Sequence, residues 1–413
     1  MRKILLIAHL WLGLASGLIM LIVATTGALY VFEEELRDVF QWNLLYVPNE
    51  SPNRAFIKPS DALATMQRVV PHEKVQQIRL RTFPLKSPKA ATILVFTKSR
   101  LIYSLNPYSG NIIGARDMKS DAISVIVELH TELLLGRLGF KDVGEQIVKW
   151  NVLIFFIMLL TGIVLWMPMN MRLISDGIKN ALKHSFRVKW SGNVIKRHYD
   201  LHRVAGFYSF AVMLMVAWTG IFWMFDSVED SVYAAFGVKK IFESKPLSSK
   251  PLSNKQTPKI YISEKNDLLD NAYSEALRYG EPQLVSIQIP AKDIDALRVL
   301  VRYPYRFIRK QSVLYFDQYT GNLLKSDLHE NYTTPDKIRV SNFDLHTGRM
   351  FGLPSKILWF FAALFTASLP ITGTILWWKK RQRKRLRHST MKKIVPEQQE
   401  NHTVSIRNTP TTV

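Results

Sequence analysis

Two stretches decide the fold: HLWLGLASGLIMLIVATTG at residues 9–27 and HRVAGFYSFAVMLMVAWTG at residues 202–220. Each begins with a histidine, has a glycine four residues later and ends in a Thr-Gly pair, so three marks recur at one constant offset of 193. Apolar composition alone does not produce such a match. The chain therefore contains an internal duplication, and an imidazole stands at the same depth in both copies.

Four apolar segments predict membrane-spanning helices. The chain of 413 residues combines 47% hydrophobic content with a mean hydropathy of +0.01, as expected when apolar spans alternate with polar domains. A spanning helix needs about 20 mainly apolar residues. The segments that meet this length are 10–32, 147–169, 204–225 and 353–378.

The basic residues predict the orientation of these spans. Eight lysines and arginines face two aspartates between Met171 and Arg203, and the tail after Trp378 begins KKRQRKR. By the positive-inside rule, both termini and the middle loop are cytoplasmic, and the two segments of about 110 residues lie outside. The net charge of +22 is then a signal of topology and of the lipid bilayer surface, so no nucleic acid is predicted as a partner.

The sequence contains no cysteine. Thiolate zinc sites, cysteine-ligated iron–sulfur clusters, covalent haem attachment and disulfide-bonded outer domains are therefore excluded. Any metal chemistry must use His, Met, Tyr or carboxylate side chains.

The two outer segments also repeat one another. Each predicts a helix and several strands, and then a turn, NPYSGN at 106–111 and DQYTGN at 317–322, at an offset of 211. Thr161-Gly162 and Thr372-Gly373 share that offset. We therefore predict a membrane α-helical bundle of four transmembrane helices in two parallel repeats, with two small α+β outer domains.

The predicted layout divides the chain into eight segments. They are the first span with a cytoplasmic N-terminus (1–35), the first outer domain (36–128), an outer histidine segment with the second span (129–169), a basic cytoplasmic loop (170–203), the third span (204–226), the second outer domain (227–344), an outer histidine segment with the fourth span (345–379) and a basic, disordered cytoplasmic tail (380–413).

Parallel repeats let corresponding histidines face one another across the bundle. His9 should face His202 on the cytoplasmic side, and His130 should face His346 on the outer side. Facing imidazoles are the axial ligands that a b-type haem requires, and its porphyrin fills the apolar gap between helices. The sequence therefore predicts two b-type haems with these four histidines as iron ligands. A lone histidine at a helix end is more often a simple interfacial residue; the repeat favours ligation.

His198 leaves the cytoplasmic site open. It lies one turn before His202 on the same helical face, so it is an alternative ligand, a neighbour of the ligand or the ligand of an additional haem. We favour His202 because the repeat provides its equivalent. Partners for haem propionates are predicted to be Arg203 on the inner side and Arg349 or Arg137 on the outer side. An anionic or aromatic chelate could contact Tyr303, Tyr305, Arg306 and Arg309, although an exposed strand and its turn would look the same.

These motifs resemble the PepSY-associated transmembrane family over residues 1 to about 385. Within it, the chain is similar to inner-membrane ferrisiderophore reductases of the FoxB type and to iron-regulated membrane proteins. The resemblance implies PepSY-like periplasmic domains, bis-histidine haems and reduction of ferric siderophores in the periplasm. The sequence has no Gly-rich dinucleotide fingerprint, so the unknown electron donor is a separate cytoplasmic partner or the quinone pool.

Two other functions stay open. A haem-free membrane protein could use its PepSY-like domains to bind or inhibit a periplasmic protein partner, and it would not need the histidines. A metal-ion transporter is disfavoured, because the spans contain essentially no ionisable residue besides the terminal histidines.

Overall fold

The computed structural model describes residues 1–48, 55–81, 89–167, 186–241, 248–249 and 262–407. These residues form two compact units. The first consists of Met1–Thr25, Trp150–Leu214 and Phe361–Val413, and the second of Thr26–Lys149 and Met215–Phe360. The predicted basic loop at 170–203 is described only from residue 186 onward.

The helices and strands of the described residues have the following bounds. The α-helices are α1 Arg2–Val31, α2 Glu33–Phe40, α3 Trp42–Leu45, α4 Pro59–Val69, α5 Ala122–Glu132, α6 Lys141–Trp166, α7 Val194–Met224, α8 Asp226–Ala235, α9 Ile262–Leu277, α10 Thr334–Thr347 and α11 Leu353–Arg407. The strands are β1 Tyr46–Pro48, β2 Val75–Arg81, β3 Lys89–Ala91, β4 Ile93–Thr97, β5 Leu101–Leu105, β6 Ile112–Asp117, β7 Leu284–Gln288, β8 Leu297–Arg302, β9 Gln311–Phe316 and β10 Leu323–Asp327.

Four of the described helices are long and apolar enough to cross a membrane: Arg2–Val31, Lys141–Trp166, Val194–Met224 and Leu353–Arg383. They overlap the four predicted spans. The first three begin earlier than predicted because the helices continue into polar residues, whose long side chains can reach water. The helix α11 continues past the fourth span through Arg407, within the segment predicted as a disordered tail.

Small residues allow the spans of the first unit to approach closely. A Cβ atom on Gly13 would lie 2.9 Å from the Met158 side chain, and one on Gly17 would lie 3.3 Å from Pro370. The Arg2 guanidinium donates a hydrogen bond to the carbonyl of Leu165 at 2.8 Å. Glycines at such contacts are typical of helix packing in membranes, where close backbone approach replaces hydrophobic driving force.

The second unit is built on one antiparallel sheet of eight strands. Its order is β10-β9-β8-β7-β2-β4-β5-β6, and β2 pairs with β7 through Ile78 and Ile287. Side chains along a strand point alternately to the two faces of the sheet. Ile78 and Ile287 point toward the main hydrophobic core and are fully buried there. The two outer segments, each predicted to be a small α+β domain, thus contribute their strands to one sheet and one core.

The helices α4 and α9 cover one face of this sheet. Pro59 starts α4, where its missing N–H costs nothing, and the Asp61 carboxylate accepts a hydrogen bond from the Lys58 N–H at 3.0 Å. Ser60 Oγ donates to the Asp270 carboxylate at 2.7 Å and so links the two helices. Met66 of α4 is completely buried between helix and sheet.

The two repeated turns have the same geometry. Asn106 Oδ1 accepts a hydrogen bond from the Tyr108 N–H at 2.8 Å, and Asp317 Oδ1 accepts from the Tyr319 N–H at 2.8 Å. Each turn ends in a glycine with positive φ, +75° at Gly110 and +72° at Gly321 in the second turn. Only glycine adopts this conformation freely, which explains its place in both motifs.

Candidate functional site

In the first unit, the imidazole rings of His9 and His202 lie next to each other. Their centroids are 6.5 Å apart and the planes are nearly perpendicular, at 88°. The Nδ1 atom of His9 lies 2.8 Å from the hydroxyl of Thr161. The Nδ1 atom of His202 lies 3.0 Å from the hydroxyl of Thr372. Each ring is thus held by the threonine of a Thr-Gly pair on another span.

The threonine hydroxyls decide which tautomer these imidazoles adopt. Thr161 Oγ1 donates its single hydrogen to the carbonyl of Met158 at 3.1 Å, and Thr372 Oγ1 donates to that of Ser368 at 2.9 Å. A hydroxyl that donates its single hydrogen to the helix carbonyl can only accept from the imidazole, which favours the Nδ1–H tautomer of both rings. This leaves the Nε2 lone pair of both histidines free, which is the form that binds a metal.

The glycines of the same motifs make room for the rings. A Cβ atom on Gly162 would lie 3.4 Å from Cε1 of His9, and one on Gly373 would lie 3.5 Å from Cε1 of His202. In the second unit, a Cβ atom on Gly27 would lie 3.1 Å from Cε1 of His130. Threonine and glycine in these pairs therefore have separate tasks, since one binds the imidazole nitrogen and the other lets the ring pack on the helix.

In the second unit, His130 and His346 form a similar pair. Their ring centroids are 6.2 Å apart with an interplanar angle of 77°. His130 Nδ1 lies 3.1 Å from Thr26 Oγ1, and His346 Nδ1 lies 2.9 Å from Thr219 Oγ1. His346 Nδ1 also lies 3.1 Å from the carbonyl of Val216, which can only accept, so Nδ1 of this ring carries the proton.

Short helices hold these two histidines. Asp121 caps α5, which carries His130, by accepting a hydrogen bond from the Ser124 N–H at 3.0 Å. Thr333 caps α10, which carries His346, in a capping box with Asp336. At the end of α10, Gly348 has φ +72° and a Cβ there would collide with Trp359 at 2.7 Å.

Burial keeps the imidazole of His346, on α10, neutral. Desolvation, followed by the repulsion of His130, lowers the pKa of His346 to about 4. A neutral imidazole is the metal-binding form. Trp223 lies against the same ring with a centroid distance of 5.4 Å. Its indole therefore forms one wall of the His130–His346 pair.

An ion pair anchors α10 beneath the loop between β8 and β9. Arg309 binds Asp344 in a bidentate pair, with Nε 2.9 Å from Oδ2, and Tyr305 donates to the same carboxylate at 2.7 Å. Asp344 is completely buried and stands two residues before His346. Arg309 and Tyr305, predicted as possible contacts of a chelate, are thus used to fix the histidine helix.

The arginines predicted to bind propionates already have partners. Arg349 binds Glu33 at 2.7 Å, Arg137 binds Glu128 at 2.7 Å, and Arg203 lies 3.4 Å from Asp200. His198 does not take part in the pair of the first unit. Its Nδ1 lies 2.7 Å from the carbonyl of Val194 in its own helix, whereas His202 is the ring beside His9.

Both pairs have the spacing that two ligands of one metal require. Metal–imidazole bonds are about 2.0–2.1 Å long, so two imidazoles on opposite sides of one iron have centroids roughly 6.3 Å apart. The observed centroid distances are 6.5 and 6.2 Å. With these centroid distances and a threonine hydroxyl beside each Nδ1 atom, His9, His202, His130 and His346 fit the axial positions of a haem.

The roles of four threonines escaped the sequence analysis. Thr26, Thr161, Thr219 and Thr372 were recognised there as markers of the repeat, but not as partners of the histidines. The constant offsets were the signal. An unexplained polar residue that recurs beside a candidate ligand in an apolar span is itself a candidate for the ligand's hydrogen-bond partner.

Comparison with known families agrees with this architecture. A family model described as the PepSY-associated TM region matches residues 6–380. The chain belongs to this family. No curated protein matches it. Family membership and the four apolar helices identify a multi-pass membrane protein associated with the lipid bilayer.

Proposed function

We propose that this PepSY-associated protein is a di-haem b oxidoreductase of the bacterial inner membrane. It moves electrons from a cytoplasmic or quinone donor to a periplasmic acceptor, which the family resemblance suggests is ferric siderophore iron. The two-repeat layout supports two equivalent cofactor sites. The symmetric strand order, with each outer segment contributing four strands in mirrored sequence, supports two PepSY-like copies.

The observation that carries the proposal is the arrangement of the two histidine pairs. Each has a centroid distance that suits two ligands of one iron, and both have the Nδ1 atoms engaged by threonine. In the described part of the chain, no cluster of three or more histidine, aspartate or glutamate side chains could hold a bare metal ion. A haem needs only two protein ligands, because the porphyrin supplies the other four.

The chain's own residues would set the properties of each cofactor. His9 and His202 would hold one haem and His130 and His346 the other, and a bound b-type haem supplies a one-electron carrier. The threonines orient the imidazoles and increase their donor strength. The glycines admit the rings, and the apolar spans exclude water.

The basic loop and tail support the direction of transfer. By the positive-inside rule, they favour a position of His9 and His202 near the cytoplasmic donor and of His130 and His346 near the periplasm. A ferric chelate needs only an electron, so the proposed acceptor requires no acid or base residue. An organic acceptor would also need protons.

The deciding experiment is an absorption spectrum of the detergent-purified protein, oxidised and then reduced with dithionite, with pyridine haemochrome quantification. The proposal expects a low-spin b-type spectrum and about two haems per chain. A colourless protein from haem-replete cells would contradict it. That result would favour the alternative in which PepSY-like domains bind or inhibit a periplasmic protein.

A further inference from the structure

The sheet face opposite α4 and α9 carries three arginines at its centre. Arg81 of β2 is paired with Leu284 of β7, which is paired with Arg302 of β8, so the two arginines lie in one row across three strands. Neighbouring strands are about 4.8 Å apart, so the Cα atoms of Arg81 and Arg302, which are two strands apart, are separated by roughly 10 Å. Arg79 lies two residues before Arg81 on the same face. Long side chains at these positions can converge on one ligand.

Two of these arginines lack acidic partners. Among the described residues, neither Arg79 nor Arg302 forms a salt bridge, and the Nε–H group of each is buried without a hydrogen-bond acceptor. The guanidinium of Arg79 instead stands 4.6 Å from the centre of the Phe96 ring. Burying such a donor unpaired is costly. A contribution to the stability of the fold therefore does not explain why arginine occupies these two positions.

Their electrostatics support the same conclusion. Burial, then the charges of Arg309 and Arg79, lower the pKa of Arg302 to about 10. Burial and the charge of Arg81 lower the pKa of Arg79, and the charge of Glu33 offsets only part of this effect. The neighbouring Arg349 differs, because Glu33 and Glu34 compensate its charge. Like charges on one face that acidic neighbours offset only in part attract an anion.

The arginine face lies beside the helix that carries His346. Arg302 ends β8, and the loop after it leads to Arg309, whose ion pair with Asp344 holds α10. Asp344 is close enough to act on the pKa of Arg302. All these residues belong to the second unit. An anion held by Arg302 would therefore be near the His130–His346 pair.

We propose that Arg79, Arg81 and Arg302 form a binding site for a carboxylate-bearing anion. Guanidinium groups bind carboxylates through paired, charge-assisted hydrogen bonds, and the buried Nε–H groups of Arg79 and Arg302 have no acceptor within the described residues. The carboxylate belongs either to a propionate of a resident haem or to a free anionic electron acceptor. The role in acceptor docking rests on the proposed function, whereas anion binding by this face does not.

The test uses iron-free citrate as the probe. Calorimetric titration at low ionic strength is performed on the full-length protein in detergent and on R79Q, R302Q and R302K. The matched control is R298Q, which removes an arginine from the same face of β8, four residues from Arg302. Haem content is measured on the same samples by pyridine haemochrome.

For a free anion, wild type and R298Q bind citrate, R79Q and R302Q bind it at least about tenfold more weakly, and R302K retains part of the affinity. For a propionate, wild type does not bind citrate, and R79Q and R302Q lose haem. Unchanged citrate binding and unchanged haem content in both variants would overturn the proposal. A haem-free wild type with arginine-dependent citrate binding would refute the proposed function and keep the anion site.

Unfolding must be separated from loss of the site. Since Arg79 and Arg302 are partly buried without acidic partners, R79Q and R302Q should unfold at the same temperature as wild type or higher. Weaker binding by such a stable variant supports the site. Weaker binding that accompanies a lower unfolding temperature in both variants would instead assign the arginines a structural role and contradict it.

Discussion

The hydroxyl of Thr161 lies 2.8 Å from Nδ1 of His9, a residue 152 positions earlier in the chain. Because this hydroxyl donates to the carbonyl of Met158, it accepts from the imidazole and leaves Nε2 free. His202 has the same relationship with Thr372. A membrane helix that carries a histidine thus depends on another span for the tautomer of that histidine.

Replacing Thr161 or Thr372 with valine should weaken haem binding without abolishing it. Valine preserves the shape but removes the acceptor for Nδ1–H, so the imidazole becomes a weaker donor to ferric iron. Loss of such a partner typically costs about 10–100-fold in metal affinity. We expect faster haem loss to apomyoglobin and a higher midpoint potential, measured by transfer kinetics and redox titration.

The control for this experiment is T25V. The Thr25 hydroxyl donates to the carbonyl of Leu21 in its own helix, at 2.7 Å, so its removal should leave both the rate of haem loss and the midpoint potential unchanged. Serine at position 161 or 372 should restore the wild-type potential, since it keeps the hydroxyl. Equal potentials in the valine variants and wild type would disprove the assigned role of the hydroxyls.

Alanine substitution of single histidines should remove haems one at a time. H130A and H346A break the same pair and should each reduce the content from about two haems to one, as should H9A and H202A. H130A and H346A should also abolish reduction of an external ferric chelate. Full reductase activity in either variant would contradict the electron path.

His198 provides a matched control for these variants. It lies on the same helix as His202 but bonds to the carbonyl of Val194. H198A should therefore keep both haems and the wild-type spectrum. Loss of one haem in H198A, with H202A unaffected, would transfer the axial role to His198.

The ring planes predict the electron paramagnetic resonance of the ferric protein. The angles of 88° and 77° are close to perpendicular. Perpendicular axial imidazoles leave the two iron orbitals that interact with them nearly equal in energy, which gives a highly anisotropic low-spin signal with one large g value. Low-temperature spectra should show such signals for both haems. A rhombic signal typical of parallel imidazoles would show that the rings turn when haem binds.

Periodic marks made the pairing of distant histidines predictable. The offset between the copies was enough to place His9 opposite His202 and His130 opposite His346, and the structure brings the members of each pair together. It also predicted both turns, since Gly110 and Gly321 mark positive φ angles. Repetition supplies this long-range information because equivalent residues occupy equivalent places.

The pairing of strands between the two outer segments was beyond the sequence. Nothing in the pattern of β2 or β7 indicates that Ile78 would pair with Ile287, because any two strands with alternating apolar residues could form that ladder. The partners of Arg349 and Arg309 were likewise hidden. Charge alone shows that an arginine can bind an anion, whereas its position beside Glu33 or Asp344 depends on the packed fold.

Acid should destabilise the fold partly through Glu128. Burial raises the pKa of this carboxyl, but hydrogen bonds from Arg100 and Arg137 more than compensate, so its pKa is below the usual value. Its stabilisation is therefore fully present above the unfolded pKa, about 4.3, and is lost as the pH falls through the lowered value of the folded state. Unfolding temperatures measured from pH 7 to 3 should fall less steeply for E128Q than for wild type. Parallel curves would show that Glu128 does not contribute to the acid transition.

The most destabilising single change we predict is D344A. Asp344 is completely buried and binds Arg309, which is only 9% exposed, so its removal leaves an uncompensated buried charge. Breaking such a pair typically costs about 3–5 kcal/mol. Chemical unfolding in detergent should show a loss of this size, together with faster hydrogen exchange in α10.

Two further variants distinguish the pair from its surroundings. D230A removes a carboxylate that is 64% exposed and bound to Lys240, and should change stability by no more than about 1 kcal/mol. The double variant R309M/D344L removes both buried charges and should recover much of the stability lost in D344A, because no charge is left unpaired. If the double variant is as unstable as D344A, packing of the loop on α10 depends on the hydrogen bonds themselves, and the explanation by an uncompensated charge is wrong.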